Sequence, residues 1–175
     1  MKEEINKTRY RGFEEVSYNK IIKHCIEVQE KNSLNVFACE KVILPSRGTK
    51  NSAGYDFYNN YPTDIEIQPY SKVLIWTNVK AYMQPQEVLI LDVRSSIGIK
   101  KDLILSNTLG IIDADYYNNR DNEGNIGISI RNLSSTPVII KSGERIAQGI
   151  FVPFLESDNC NSDSERIGGI GSTSK

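Results

Sequence analysis

At 175 residues, with 21 lysines and arginines against 22 aspartates and glutamates, the chain has the size of one ordinary domain and lacks the basic excess of a general nucleic-acid binder. Its three cysteines follow no CxxC spacing, which argues against a disulfide framework or a zinc knuckle, and no apolar run approaches the ~20 residues of a membrane helix. These totals point to a cytoplasmic protein whose ligand is small, with neither nucleic acid nor membrane as partner.

The first 40 residues read as an N-terminal extension with one helix at about 17–30, because Tyr18, Ile22, Cys25, Ile26 and Gln29 recur at helical spacing. A packing helix also accounts for His24, which has no neighbour at metal-ligand spacing. From Leu44 onward, short apolar or alternating runs are broken every eight to twelve residues by Pro, Gly, Asn, Asp or Ser. The runs IEI (65–67), KVLIW (72–76), NVKAY (78–82), EVLILDV (87–93), DLIL (102–105), NIGISI (125–130), TPVII (136–140) and RIAQGIFV (145–152) have the rhythm of an antiparallel sandwich, jelly roll or barrel, a β domain over 41–156. VLIL is continuously apolar and predicts a central strand, whereas NIGISI alternates and predicts one wet face. Residues 157–175 are polar, glycine-rich and serine-rich, a segment expected to be a mobile arm.

The chemistry gathers in GIIDADYYNNRDNEGNIG (110–127), where Asp113 directly follows Ile111 and Ile112. A carboxylate half buried by such a lead-in needs a partner, a metal or a task. A calcium loop fails: counted from Asp113, Asn118 stands where glycine is required and Gly124 where the bidentate glutamate is required. Zinc deamination lacks its HxE and PCxxC ligands, and RSSIGIK (94–100) is not a GxSxG elbow, so a carboxylate that activates water is the chemistry left available. GGIGSTS (168–174) can aim backbone N–H groups and hydroxyls at an anion, and Arg94 with Ser95 and Ser96 can do the same, but each signal is weak alone.

Together, AGYD (53–56), RSSIG (94–98), NTLGIIDADY (107–116), ERIAQ (144–148) and RIGGIGST (166–173) resemble, in order and approximate spacing, the five motifs of the homotrimeric dUTP diphosphatases. The resemblance runs from about Leu44 to the C-terminus. It implies an all-β jelly roll of the β-clip kind with one N-terminal helix, assembled as a homotrimer whose active sites draw on more than one subunit. The implied reaction is Mg2+-assisted attack of water on the α-phosphorus of dUTP, giving dUMP and pyrophosphate, which keeps uracil out of DNA and supplies dUMP for thymidylate synthesis.

By the same resemblance Asp113 is the catalytic base, and Tyr116 lies under the deoxyribose and leaves no room for a 2′-hydroxyl. Asn107 reads the uracil edge from a tight hairpin, its amide offering both donor and acceptor. Gly110 belongs to the same substrate-binding motif. Arg94, Ser95, Ser96 and Gly98 correspond to the motif that holds the α- and β-phosphates. Asp56 and Gln148 bind waters of the Mg2+ shell, the metal being held mainly by the triphosphate. Arg166, Gly169, Ile170, Gly171, Ser172 and Thr173 belong to the arm that closes over the γ-phosphate.

Two departures stand out. Ile170 replaces the aromatic residue that usually stacks on the base, and Tyr117 to Glu123 form an insertion of about six residues beside the catalytic motif. The plainer reading of the insertion is a solvated hairpin tip; the functional alternative is a contact with a neighbouring subunit or a regulator. Two rival functions share the texture. A dCTP deaminase of the same fold needs a glutamate where this chain has Ser129, and a non-enzymatic nucleotide-sensing or partner-binding trimer would not need Asp113, Tyr116 and Gln148.

Overall fold

Short strands dominate this computed structural model, which describes residues 8–23, 26, 41–160, 166 and 168. In chain order they are β1 (Gly12–Glu15), β2 (Ser46–Arg47), β3 (Tyr55–Tyr58), β4 (Ile65–Ile67), β5 (Lys72–Trp76), β6 (Val79–Tyr82), β7 (Glu87–Val93), β8 (Leu103–Leu105), β9 (Gly110–Asp113), β10 (Gly127–Asn132), β11 (Val138–Ile140) and β12 (Arg145–Pro153). The ladders between them are antiparallel. The largest sheet has the order β2-β3-β12-β7-β9, a second has β5-β10-β8, and β1-β6 and β11-β4 form two-stranded ribbons. The all-β, jelly-roll-like expectation holds.

Period-two alternation decides which side chains meet between the sheets. Phe57, Leu89, Leu91 and Ile146 face inward from the five-stranded sheet and meet Ile75, Leu103, Leu105, Ile128 and Ile130 in one buried cluster. β7 pairs on both sides, but the apolar run VLIL is not buried throughout: Leu89 and Leu91 are buried, whereas Val88 and Ile90 are only half-buried. The register sets Ile90 between Ile150 and Ile111, which leaves an apolar row across the outer face of the sheet. Ile111 is 52% exposed and Ile150 39% exposed.

Many short strands leave backbone groups without ladder partners, and buried asparagines satisfy them. Asn132 donates to the carbonyls of Ile67 at 3.0 Å and Thr136 at 2.8 Å, and Asn60 donates to that of Thr77 at 2.7 Å.

Residues assigned from sequence to an N-terminal extension contribute β1, which pairs with β6, and bury Val16 and Ile21. Residues 18–23 are helical, in keeping with the start of the expected helix; His24, Cys25 and most of its remaining length lie outside the described residues. A second helix, unexpected from sequence, covers Ser95–Lys101. It is too short for an apolar stripe, since only Ile97 is buried, and Asp102 at φ 52° ends it by donating its N–H to the Ile97 carbonyl.

Candidate active site

A cavity of about 410 Å³ opens between the edge strand β9 and the face of the β5-β10-β8 sheet that carries Leu74, Gly127 and Ser129. Its walls include Leu91, Ser106, Asn107, Gly110, Asp113, Tyr116, Gly127, Ser129 and Arg166. The wet face expected of NIGISI is therefore the cavity wall: Gly127 and Ser129 point into it while Ile128 and Ile130 go to the core. A Cβ on Gly127 would meet the Trp76 ring at 2.9 Å, so this part of the wall must stay bare. Ser106 and Ser129, which sequence reasoning had not named as site residues, face each other with hydroxyls 2.8 Å apart.

Asn107 is exposed at the turn between β8 and β9. These strands lie in different sheets, so the expected hairpin is instead a corner that carries the chain across the cavity. The Thr108 N–H donates to the Leu105 carbonyl at 3.1 Å, and Thr108 adopts φ 62°. That left-handed conformation is costly for a β-branched residue, and the turn's hydrogen bonds, among them Thr108 Oγ1 to the Asn107 carbonyl at 2.6 Å, offset the cost.

Asp113 ends β9 at the cavity mouth. Its side chain is 50% exposed, in keeping with the half-buried carboxylate anticipated from Ile111 and Ile112. Strand alternation gives the reason: Gly110 and Ile112 turn inward, while Ile111 and Asp113 share the outer face of an edge strand. Arg166 grips Asp113 through Nη2 and donates from Nε to Asp115 at 2.7 Å, while its guanidinium lies 5.7 Å from the centre of the Tyr116 ring. Asp115, without a task in the sequence reading, is thus the second anchor of Arg166. The remaining arm residues expected at the site, Gly169, Ile170, Gly171, Ser172 and Thr173, lie outside the described residues.

Tyr116 forms part of the cavity wall, with 7% of its surface exposed. Its hydroxyl donates to the Asn125 carbonyl at 2.9 Å and accepts from Asn122 Nδ2 at 2.8 Å. Burial, the leading cause, raises the phenol pKa above its ordinary value.

The insertion after Tyr116 is not a solvated tip, because Asn119 and Asn122 are buried. Asn119 donates to the Tyr116 carbonyl at 2.9 Å and to Asn122 Oδ1 at 2.7 Å. Outside, Glu123 accepts from the Ser17 hydroxyl at 2.6 Å and the Ser17 N–H at 2.9 Å, Lys20 donates to the Asp121 carbonyl, and Tyr117 donates to Glu14. Burial pushes the Glu123 carboxyl up, but the Ser17 bonds and nearby Lys80 and Lys20 outweigh it and leave the pKa below its usual value. The loop turns back at Gly124, φ 80°, where a Cβ would come within 2.6 Å of the Tyr116 carbonyl oxygen. Gly124→Ala is therefore expected to destabilise the fold by about 2–4 kcal/mol in urea unfolding.

The other predicted residues form a second constellation, none of which lines the cavity. Asp56, 6% exposed, accepts from Arg94 Nε at 2.9 Å and from Arg145 Nη1 at 3.2 Å. Arg145, overlooked in the sequence although it stands in ERIAQ, shares the Asp56 carboxylate with Arg94, so three charges leave one net positive unit. Gln148 pairs in register with Asp56 on one side and Asp92 on the other, which lines up the three on one face. Ser95, Ser96 and Gly98 follow Arg94 in the short helix. Among the described residues no group of three His, Cys, Asp or Glu side chains could hold a metal ion by itself, and no helix is long and apolar enough to cross a membrane.

Both constellations touch the same outer face. Val88, Ile90 and Asp92 alternate onto it from β7, Val88 being opposite Asp113 and Asp92 opposite Gln148. The four-residue step from Val88 to Asp92 is about 13 Å at the usual strand rise. The apolar row through Ile90 lies between them. One chain thus presents two polar constellations separated by a hydrophobic strip.

Comparison with known proteins gives the family. The family model described as dUTPase matches residues 40–174. A deoxyuridine 5′-triphosphate nucleotidohydrolase of Lactococcus lactis is 46% identical over 132 residues, 74% of this chain and 87% of that relative. A crystal structure of the dUTPase from Streptococcus mutans superposes with a TM-score of 0.64 at 39% identity, covering 84% of this chain and 98% of that one. A dUTPase from phage phi11 of S. aureus shares the fold at 20% identity, with a TM-score of 0.63 over 89% of this chain and 98% of that one.

Proposed function

The chain belongs to the dUTPase family and hydrolyses dUTP to dUMP and pyrophosphate, and from that premise we propose which residues carry the reaction. The observation that carries the assignment is the cavity that joins Asn107, Tyr116 and Asp113. Asn107 reads the uracil edge, and Gly110 lets the nucleoside approach β9. The Tyr116 ring lies under the sugar and excludes a 2′-hydroxyl. Asp113 at the mouth takes the proton of the water that attacks the α-phosphorus. The water oxygen bonds to that phosphorus as the bridging oxygen departs with pyrophosphate.

The phosphates lie against Arg94, Ser95, Ser96 and Gly98, with Arg145 beside them; two guanidiniums that share one carboxylate suit that role. Arg166 is bonded to two carboxylates in the free chain, and the substrate phosphates compete for it, releasing Asp113. Gly169, Ile170, Gly171, Ser172 and Thr173 complete the closing arm.

The phi11 neighbour is described with a coordinated structural Mg(II) ion. In this chain an Asp56 already shared by two arginines does not suit a bare resident ion, but it suits an ion delivered by the triphosphate, with Asp56 and Gln148 holding its waters. When bound, Mg2+ neutralises phosphate charge and favours departure of pyrophosphate.

We also propose that the enzyme is a homotrimer whose neighbouring subunits bring the two half-sites together. The exposed row Ile111, Ile90 and Ile150 between the half-sites supports this, since a partner seated there covers apolar surface and supplies the missing half.

The test incubates the protein and Mg2+ with dUTP, UTP, dCTP or dTTP and measures pyrophosphate and ammonia separately. Pyrophosphate from dUTP alone is expected. Equal turnover of UTP would overturn the role of Tyr116, and ammonia from dCTP would overturn diphosphatase selectivity. Ser129 bonded to Ser106, where a deaminase needs an acid, speaks against the latter.

A further inference from the structure

We propose that Asn122, backed by Asn119, is a positioning residue for Tyr116, so that the 117–123 loop sets how strictly the enzyme rejects ribonucleotides. The inference rests on the reading of Tyr116 as the sugar platform. Steric exclusion of one hydroxyl requires the ring to stay where it is, because a small retreat opens the space the hydroxyl needs. The Tyr116 hydroxyl is held from two directions, and both holders come from the segment that follows it.

Asn122 commits its side-chain amide and its backbone N–H to this arrangement. Its Nδ2 donates to Tyr116, its Oδ1 accepts from Asn119 Nδ2 at 2.7 Å and from the Gly124 N–H at 3.0 Å, and its N–H donates to Asn119 Oδ1 at 3.1 Å. Asn119 in turn holds the Tyr116 carbonyl, so both ends of the tyrosine are tied to the same pair of amides. Buried amides are costly unless fully bonded, and this pair is well satisfied around one side chain.

The loop is itself clamped from two other parts of the chain. Lys80 on β6 donates to Asn118 Oδ1 at 2.7 Å and lies 3.8 Å from Glu123, while Ser17, Lys20 and Glu14 bind Glu123, the Asp121 carbonyl and Tyr117 from the N-terminal side. A loop that served only to close a turn would not need external clamps on both flanks of its buried asparagines. The clamps hold the asparagines, and the asparagines hold the ring.

The test compares kcat/KM for dUTP and UTP in the wild type, Tyr116→Ala, Tyr116→Phe, Asn122→Ala and the double variant Tyr116→Phe/Asn122→Ala. Asn122→Ala is expected to lower the dUTP-to-UTP ratio about three- to tenfold, as loss of one neutral hydrogen bond allows, and Tyr116→Phe, which loses the bond to the Asn125 carbonyl as well, by at least as much. The double variant is expected to match Tyr116→Phe, because without the hydroxyl Asn122 Nδ2 has nothing on the ring to hold. An unchanged ratio in Asn122→Ala, or losses that multiply in the double variant, overturns the proposal. If Asn122→Ala fails to fold, Tyr116→Phe decides alone, since it deletes the hydroxyl without opening a cavity, and an unchanged ratio there overturns the proposal equally. Tyr116→Ala separates the two levels: if it leaves the ratio intact, the sugar-platform reading itself fails.

Discussion

Asp113→Asn is expected to abolish turnover of dUTP while leaving its binding within about threefold of the wild type. A positioned general base contributes ~10²–10⁴ in rate, so kcat should fall by about that factor. Asparagine keeps the size and the position at the end of β9 but cannot take the proton of the attacking water. Binding survives because Asp113 stands half exposed at the end of β9, and asparagine keeps its size and place in the cavity wall. Pyrophosphate release measures the first effect, and calorimetry with a non-hydrolysable imido analogue of dUTP measures the second. Asp115→Asn is the control. It removes only one of two anchors of an exposed ion pair, an interaction commonly worth under ~1 kcal/mol, and should cost no more than a few-fold in kcat. Normal turnover in Asp113→Asn would remove it from the catalytic role.

The second large effect is complementation between two inactive variants. Arg94→Ala is expected to lose about two or more orders of magnitude in kcat/KM, because a charge-assisted bond to phosphate disappears. The fold should persist, since Arg145 still neutralises Asp56. Mixed trimers of Arg94→Ala and Asp113→Asn chains, co-expressed with different tags, should then regain activity. A site that takes Asp113 from one subunit and Arg94 from another is intact in roughly a quarter of random combinations. Activity that stays at the level of the separate variants would show both half-sites to come from one chain, contrary to the ~13 Å strip that divides them here.

Much of this was legible in the residues. The runs 65–67, 72–76 and 87–93 became β4, β5 and β7 with matching ends, because each combines β-branched residues with turn residues on both sides. β3 and β9 were hidden inside the polar motifs AGYD and GIID, where chemistry rather than alternation dominates the texture. β1 was hidden for another reason: GFEE has no alternation of its own and becomes a strand only by pairing with β6, far away in sequence. The site residues Asn107, Asp113 and Tyr116 could be found together because they fall within ten residues, 107–116, of one motif. Arg145 was missed because nothing local marks it as the partner of Asp56, a side-chain contact that spans 89 positions.

The sequence by itself determined the all-β texture, the water-activating carboxylate as the available chemistry, and the family to which five spaced motifs belong. These rest on residue type and local spacing, which a chain carries whether or not it is folded. Only the tertiary structure decided that Asp113 lies on the outer face of an edge strand, that Tyr117 to Glu123 are packed around Tyr116, and that one chain holds two polar constellations on a single face. Those depend on strand register and on burial, and both are set by partners distant in sequence: a shift of one residue along β7 would turn Val88, Ile90 and Asp92 to the opposite face.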